Sequence, residues 1–266
     1  EGKAILYISH KLEEIRALCD EATILRHGQV VATCDPKVES ARSMAEMMVG
    51  ATLHQPSNSG APSDEVMLDV VGLSIPSTSP FGTSLKNVTF NVHAREIFGI
   101  GGVAGNGQDE LLAALSGEVL TRPDTIKLGG HPIGHLGPNG RRMRGFCAAP
   151  EERLGHAAAP DMTLVENTLL SAAFRKNLVQ NGFVRWGRAE AYAEEVIEKF
   201  DVRTPGPQNA ARALSGGNLQ KFVIGREVLQ DGEALAVNQP PWGVDAAAAA
   251  SIRQKLMDMA QAGGAI

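Results

Sequence analysis

Two glycine clusters carry the residues best suited to chemistry. The first, Gly102-Val103-Ala104-Gly105-Asn106-Gly107-Gln108-Asp109, follows the apolar run Ile97 to Ile100 and precedes a helix-like stretch, Glu110 to Leu115. Glycines let consecutive backbone N–H groups curl around an anion, and the start of the next helix adds positive partial charge. The GxxxxG spacing therefore suits a phosphate cradle, and it equally suits an ordinary tight strand-to-helix turn. Gln108 stands where a lysine would have to reach the β- and γ-phosphates, and Asp109 where a serine or threonine would hold Mg²⁺. The shape of the anion site is kept and its charge is lost. The same stretch also reads as Gly99-x-Gly101-x-x-Ala104, a pattern suited to a dinucleotide. That reading needs an acidic ribose partner at the end of the next strand, and the candidate strand Thr125 to Leu128 runs instead into Gly129-Gly130.

The second cluster, Leu214-Ser215-Gly216-Gly217-Asn218-Leu219-Gln220-Lys221, lies at the start of a predicted helix. There the Ser215 hydroxyl and the N–H groups of Gly216 and Gly217 could bind a phosphate presented by another domain. The plainer alternative is a serine that caps its own helix, followed by two loop glycines. In this order and spacing, LSGGN-x-QK resembles the signature motif of ABC-type ATPases, in particular those that serve simple-sugar and nucleoside uptake.

Three other stretches are similar to that family. Ala234 to Asp245 resembles the Walker B strand, catalytic carboxylate and D-loop, the last carried by Asp245. It departs from the pattern where Asn238 replaces the metal-binding aspartate and Gln239 the glutamate that would polarise water. A neutral amide is no general base and adds no negative charge to attract Mg²⁺. Ala149-Pro150-Glu151-Glu152-Arg153, with Asp161 to Asn167 after it, resembles the Q-loop region that meets membrane subunits, and Glu151 stands near the place of the sensing glutamine. Ile8-Ser9-His10-Lys11-Leu12-Glu13-Glu14 resembles the switch-histidine segment, although a single histidine after a strand is also an ordinary surface residue. The resemblance implies nucleotide contacts by Gly102, Gly105, Asn106, Gly107, Gln108 and Asp109 at one site. At the other it implies contacts by Leu214, Ser215, Gly216, Gly217, Asn218 and Gln220. ATP is the implied nucleotide, with Mg²⁺ in the complete transporter and no metal site in this chain. Phe81 lies near where an adenine-stacking ring would fall.

The elements that must position these residues read as an α/β chain. Ala4 to Ile8 is apolar on both faces, as a buried strand is. A charged helix over 11–20, a hairpin of Ala22–Leu25 and Gln29–Thr33 turning at Arg26-His27-Gly28, and a helix over Ser40–Val49 stopped by Gly50 follow. From Gln55 to Asp64 proline, serine, asparagine and glycine replace any apolar period, which predicts a linker. Beyond it, strands are expected at Met67–Val71, Val88–Val92, Ile97–Ile100, Thr125–Leu128, Gly145–Ala148 and Ala234–Val237. Helices are expected at Val165–Phe174, Arg188–Phe200 and Asn218–Leu229. Alternation of the two predicts a largely parallel sheet, and a further strand would start at Gly263-Gly264-Ala265-Ile266.

With 266 residues, 43% of them hydrophobic and 21% charged, the chain can bury a core, and a net charge of −5 without a basic run argues against a nucleic-acid partner. No apolar stretch approaches a membrane span, the opening residues carry no charged-then-apolar pattern and so predict no leader, and three scattered cysteines fit neither a disulfide framework nor a zinc site. Within the family one domain presents its motifs in the order Walker A, Q-loop, signature, Walker B, switch histidine, whereas this chain begins with the last. The resemblance thus implies a C-terminal fragment of a first ABC ATPase domain over 1–53, a linker over 54–66, and a second domain over 67–266. The second would be P-loop NTPase-like, with a mixed sheet, a helical signature subdomain and degenerate Walker motifs, and would lack its final switch-histidine segment.

The implied function is the energy-coupling subunit of an importer at the cytoplasmic face of a membrane. Its implied partners are permease subunits, a solute-binding protein and another ABC ATPase domain, and its signature would serve that domain's ATP. The chain alone would be inactive. The alternatives are a non-catalytic nucleotide-binding regulatory module, a soluble ABC protein without a permease, and a dinucleotide oxidoreductase.

Overall fold

The computed structural model describes residues 2–9, 11–26, 28–50, 60–77 and 82–266. Helix α1 (Leu12–Leu18) leads into an antiparallel hairpin, β1 (Ala22–Arg26) and β2 (Gln29–Cys34), and then into α2 (Ala41–Val49). Ser40 caps α2 by accepting the Ser43 N–H at 3.0 Å, and Gly50 ends it in the left-handed region at φ 78°. Helix α2 buries Met44 and approaches the last helix of the chain.

The expected buried strand at Ala4–Ile8 does not form. Ile5, Leu6 and Ile8 are 88%, 89% and 88% exposed, and no described strand pairs with them. An apolar run becomes a buried strand only where a neighbouring strand takes up its backbone N–H and C=O groups.

The remainder comprises β3 (Val66–Ile75), β4 (Leu85–His93), α3 (Gln108–Ser116), β5 (Ile126–Leu128), β6 (His131–Pro132), α4 (Pro138–Met143), β7 (Phe146–Ala149), α5 (Leu164–Ala172), β8 (Val179–Gln180), β9 (Phe183–Val184), α6 (Trp186–Lys199), α7 (Gly216–Val228), β10 (Ala234–Val237) and α8 (Ala246–Gln261). The expectation of a largely parallel sheet is corrected here. The largest described sheet, β4-β3-β5-β6, is antiparallel throughout. The link between β3 and β4 has no room for the helix that a parallel crossover needs. Among the described strands the one parallel pair is β7 with β10, in register from Phe146 opposite Ala234 to Ala149 opposite Val237, and a bridge from Ala234 to Ala265 extends it.

The Ile97–Ile100 segment is not a buried strand either, with Ile97 40% and Ile100 51% exposed. The backbone over 95–98 meets the 264–266 segment in three hydrogen bonds: Arg95 N–H to the Gly264 carbonyl at 3.0 Å, Ile266 N–H to the Glu96 carbonyl at 2.9 Å, and Phe98 N–H to the Ile266 carbonyl at 2.7 Å.

Strands β7 and β10 form the wall between two cores, because side chains alternate along a strand. Cys147, Ala149 and Leu235 face a helical core of α5, α6 and α7 that contains Leu164, Tyr192, Val196, Phe200 and Phe222. Phe146, Ala148 and Ala234 face a second core with Val70, Leu73, Leu115 and Ile126. Gly225 lets α7 approach α6, since a Cβ there would lie 2.7 Å from the Phe200 ring. Cys147 is fully buried, and burial pushes its thiol up to about 12, which keeps it protonated at neutral pH. Both loops that approach the first glycine cluster leave this wall at the carboxyl ends of its strands, where ligands of open α/β sheets gather.

Arg141 fastens the second core. Its guanidinium is fully buried and donates to the carbonyls of Leu136 at 2.9 Å, Leu115 at 2.7 Å, Gly134 at 2.9 Å, and Ala114. Burial lowers its pKa to about 10, which still leaves it cationic at neutral pH. Arg141→Leu would strand several of these carbonyls, each at a penalty of roughly 1–3 kcal/mol. The expected loss is about 3 kcal/mol or more of unfolding free energy, read from urea titration of the chain.

Candidate functional site

The first glycine cluster closes on itself. Gly105 and Gly107 take left-handed φ values of 83° and 106°, and a Cβ on Gly107 would meet the Leu85 side chain at 2.9 Å. Glycine is therefore required at 107 both by conformation and by space. Thr83 holds the loop from outside, donating its hydroxyl to the Gly105 carbonyl at 2.6 Å. Inside, Gln108 Oε1 accepts the Asn106 N–H at 3.0 Å, while Gln108 Nε2 donates to the Val103 carbonyl at 3.0 Å. The same Nε2 lies 2.7 Å from where a Gly102 Cβ would be. A side-chain amide thus uses a backbone N–H that an anion would otherwise receive.

Next to it, Asn238 Nδ2 donates to Asp109 Oδ1 at 2.8 Å, and Gln239 Nε2 donates to Glu151 Oε2 at 2.9 Å. Asp109, Glu151 and the Asn238-Gln239 pair, far apart in sequence, are brought together by the adjacent ends of β7 and β10 and the start of α3. The resulting pairs are carboxylate with amide. Each carboxylate already accepts a hydrogen bond, no cation stands at 108, and no hydroxyl stands at 109. Among the described residues no group of three or more His, Cys, Asp or Glu could hold a metal ion. These residues do not fit Mg²⁺-ATP in the manner of a working phosphate-binding loop.

The second cluster is open. Ser215 precedes α7 in extended conformation, yet its side chain accepts from Asn218 Nδ2 at 2.9 Å and makes no cap to its own helix. Among the described residues, no acceptor faces the N–H groups of Gly216, Gly217 or Asn218. Free donors at the positive end of a thirteen-residue helix attract an anion. They border a cleft of about 570 Å³ that also contains Arg203, Lys221 and Asp245.

The other residues of this cluster support it. Leu214 packs on the helical core. Gln220, expected to touch nucleotide, is 1% exposed and donates to the Pro240 carbonyl at 3.0 Å. It therefore holds the 239–243 turn rather than facing a ligand. Asp245 caps α8 through the Ala248 N–H at 2.8 Å. His10 and Phe81 lie outside the described residues. Sequence reasoning gave no separate role to Arg153, Arg203 or Lys221: Arg153 and Lys221 stood at the ends of quoted motifs, and Arg203 lay outside them.

The family described as ABC transporter matches residues 85–240, 156 of the 266, and the match takes in both glycine clusters and the Asn238-Gln239 pair. The chain belongs to the ABC transporter family. Among curated ABC relatives it is 33% identical to the nucleoside import ATP-binding protein NupA of Lactococcus lactis, over all of this chain and 53% of that protein. It is 36% identical to the guanosine import ATP-binding protein NupO of Bacillus subtilis, over all of this chain and 52% of that protein. It is 35% identical to the galactose/methyl galactoside import ATP-binding protein MglA of Escherichia coli, again over all of this chain and 52% of that protein. The chain spans about half the length of these curated relatives.

Solved ABC structures share the fold. One is an ATP-binding subunit of an ABC transporter, with TM-score 0.58 and 23% identity over 75% of this chain and 77% of that one. Another is a nucleotide-free ATP-binding cassette, with TM-score 0.57 and 18% identity over 75% and 79%. The fold is thus the ABC cassette of P-loop NTPase type. The dinucleotide alternative, which rested on the GxGxxA pattern, gives way to this family.

Proposed function

We propose that this chain is part of the ATP-binding subunit of an importer for nucleosides or simple sugars. In this reading it supplies the Ser215–Asn218 turn to ATP held by another ABC domain, and its own glycine-loop site does not hydrolyse. The observation that carries the proposal is the contrast between the two clusters. The 102–109 loop is closed by Gln108, whereas the start of α7 leaves its N–H groups free beside the Ser215 hydroxyl. Residues 1–53 are assigned to the tail of a preceding ABC domain, which would contribute His10, and 67–266 to a second domain joined through 54–66. The coverage of half of each curated relative supports a two-domain parent protein. The names of those relatives support import as the process.

The chemistry assigned to this chain is placement and charge stabilisation. Phosphoryl transfer requires in-line water, metal and positive charge together, and bound Mg²⁺ would neutralise the phosphate oxygens. Here Ser215, Gly216 and Gly217 donate hydrogen bonds toward the transferring phosphate, and Asn218 orients the Ser215 hydroxyl. Gln239 cannot take a proton from water, so the base must come from the partner domain. Permease subunits and a solute-binding protein complete the proposed machine at the cytoplasmic face of a membrane. Among the described residues no helix is long and apolar enough to cross one.

The test is ATP turnover by the chain alone and after addition of the matching upstream domain. Turnover only in the mixture is expected. Turnover by the chain alone overturns the assignment of a dead Walker site. No turnover in either sample favours a regulatory nucleotide-binding module.

A further inference from the structure

The donors of the Ser215–Asn218 turn are useful only if they are aimed, and the structure contains a group placed to aim them. Arg153, just beyond β7, donates from Nη1 to the Gly216 carbonyl at 3.0 Å and to the Trp242 carbonyl at 3.4 Å. Its guanidinium fits because two glycines leave room: a Cβ on Gly216 would lie 3.0 Å from Nη1, and one on Gly243 3.0 Å from Nη2. The backbone of Arg153 is itself fixed, since its carbonyl accepts the Ala158 N–H at 2.8 Å and that of Glu152 accepts the Ala157 N–H at 3.0 Å. Ala157 and Ala158 belong to the helical core.

We propose that Arg153 is a positioning residue that sets the direction of the Gly217 N–H in the Ser215–Asn218 turn. The Gly216 carbonyl and the Gly217 N–H belong to one planar trans peptide and point in opposite directions. Holding the carbonyl on the Arg153 side therefore turns the N–H away from Arg153, toward the cleft beside Ser215. The same guanidinium reaches the 239–243 turn, in which Trp242 N–H donates to the Gln239 carbonyl at 2.9 Å. Gln239 in turn holds Glu151, two residues before Arg153. These hydrogen bonds link the signature turn to Gln239 and Glu151 without bound nucleotide, and Asn238, next to Gln239, carries the link on to Asp109 of the glycine-loop site. The amides at 238 and 239, which stand where the family has carboxylates, serve as struts in this chain of contacts.

The inference rests on reading the Ser215–Asn218 turn as phosphate-facing, and the experiment separates the two claims. ATP turnover is measured in the complete two-domain protein carrying Arg153→Ala, Arg153→Lys or Ser215→Arg. Hydrogen bonds from a charged donor are strong enough for Arg153→Ala to lower kcat/KM about tenfold. The loss should fall mainly on KM for ATP, with the thermal midpoint unchanged. Arg153→Lys keeps a cation but not the planar fork, and should restore part of the loss. Unchanged KM and kcat in Arg153→Ala, alongside a dead Ser215→Arg, overturns the role of Arg153. So does a loss that tracks a fall in thermal midpoint, because Arg153 would then be a structural brace; if Arg153→Ala does not fold, Arg153→Lys decides by the same KM criterion. Full activity of Ser215→Arg overturns the underlying reading instead.

Discussion

Ser215→Arg in the complete two-domain protein is expected to reduce ATP turnover by roughly 100-fold or more. Removing one well-placed donor to a developing phosphoryl or acyl charge typically loses about 10²–10³ in rate. Here the substitution removes the hydroxyl and leaves Asn218 Nδ2 without its 2.9 Å partner. It also drives a long side chain into the cleft where the Gly216 and Gly217 N–H groups open. The new guanidinium would not substitute for the lost donor. Asp201 and Asp245 line the same cleft, and a carboxylate pairs with arginine in a two-pronged geometry that competes with phosphate. Steady-state phosphate release measures the effect, and the thermal midpoint of the variant shows that the fold is intact. The midpoint should hold because Ser215 makes no cap that α7 would lose. Retained turnover would remove the signature turn from the reacting centre and with it the proposed division of labour between the two domains.

The sequence made some of this fold legible and hid the rest for physical reasons. The strand predicted at Ala234–Val237 has those bounds in the structure, and α2 begins after Ser40 and stops at Gly50 as its capping residues require. Such signals are local, residing in side chains that bond their own neighbours. The strands expected at Ala4–Ile8 and Ile97–Ile100 were apolar enough, but strand formation is a contract with a partner, and hydropathy does not say whether a partner is adjacent. The parallel sheet was over-read for a similar reason, since alternation of elements does not reveal that β3 and β4 pair antiparallel.

The site divides along the same line. That Gln108, Asn238 and Gln239 lack the charges of a working site, and that Asp109 adds a negative one, is a property of residue types and needed no coordinates. That Gln108 bends back to occupy the loop, and that Asn238 and Gln239 find Asp109 and Glu151, depends on backbone approach. Arg153 was the least visible of all. Its partners are 63 and 89 residues away and are backbone carbonyls, so no side-chain pattern in the sequence marks them.

Gln108→Lys with Asp109→Ser should raise the affinity of the chain for ATP about 100-fold and make it dependent on Mg²⁺, without giving turnover. In the native chain the Asn106 N–H is already used by Gln108, and the Asp109 carboxylate repels phosphate at the mouth of the loop. Lysine at 108 withdraws the amide and supplies an ammonium for the β- and γ-phosphates. Serine at 109 removes the repulsion and frees Asn238. A charge-assisted hydrogen bond contributes roughly 1.5–3 kcal/mol, and with the repulsion removed the sum approaches about 3 kcal/mol, near a factor of 100 in Kd. Turnover stays absent because Gln239 remains a neutral amide beside Glu151, and neither position supplies a base aimed at in-line water. Calorimetric titration with ATP, in Mg²⁺ and then in EDTA, separates the contributions. The single Asp109→Ser variant should gain less than the double, because Gln108 still fills the loop. If the native chain already binds ATP tightly with Mg²⁺, the Gln108 closure yields to nucleotide and the loop is a working cradle. If the double variant binds no better than the native chain, phosphate is excluded by the loop backbone itself, and the lost cation at 108 and the added carboxylate at 109 are a consequence of that closure and not its cause.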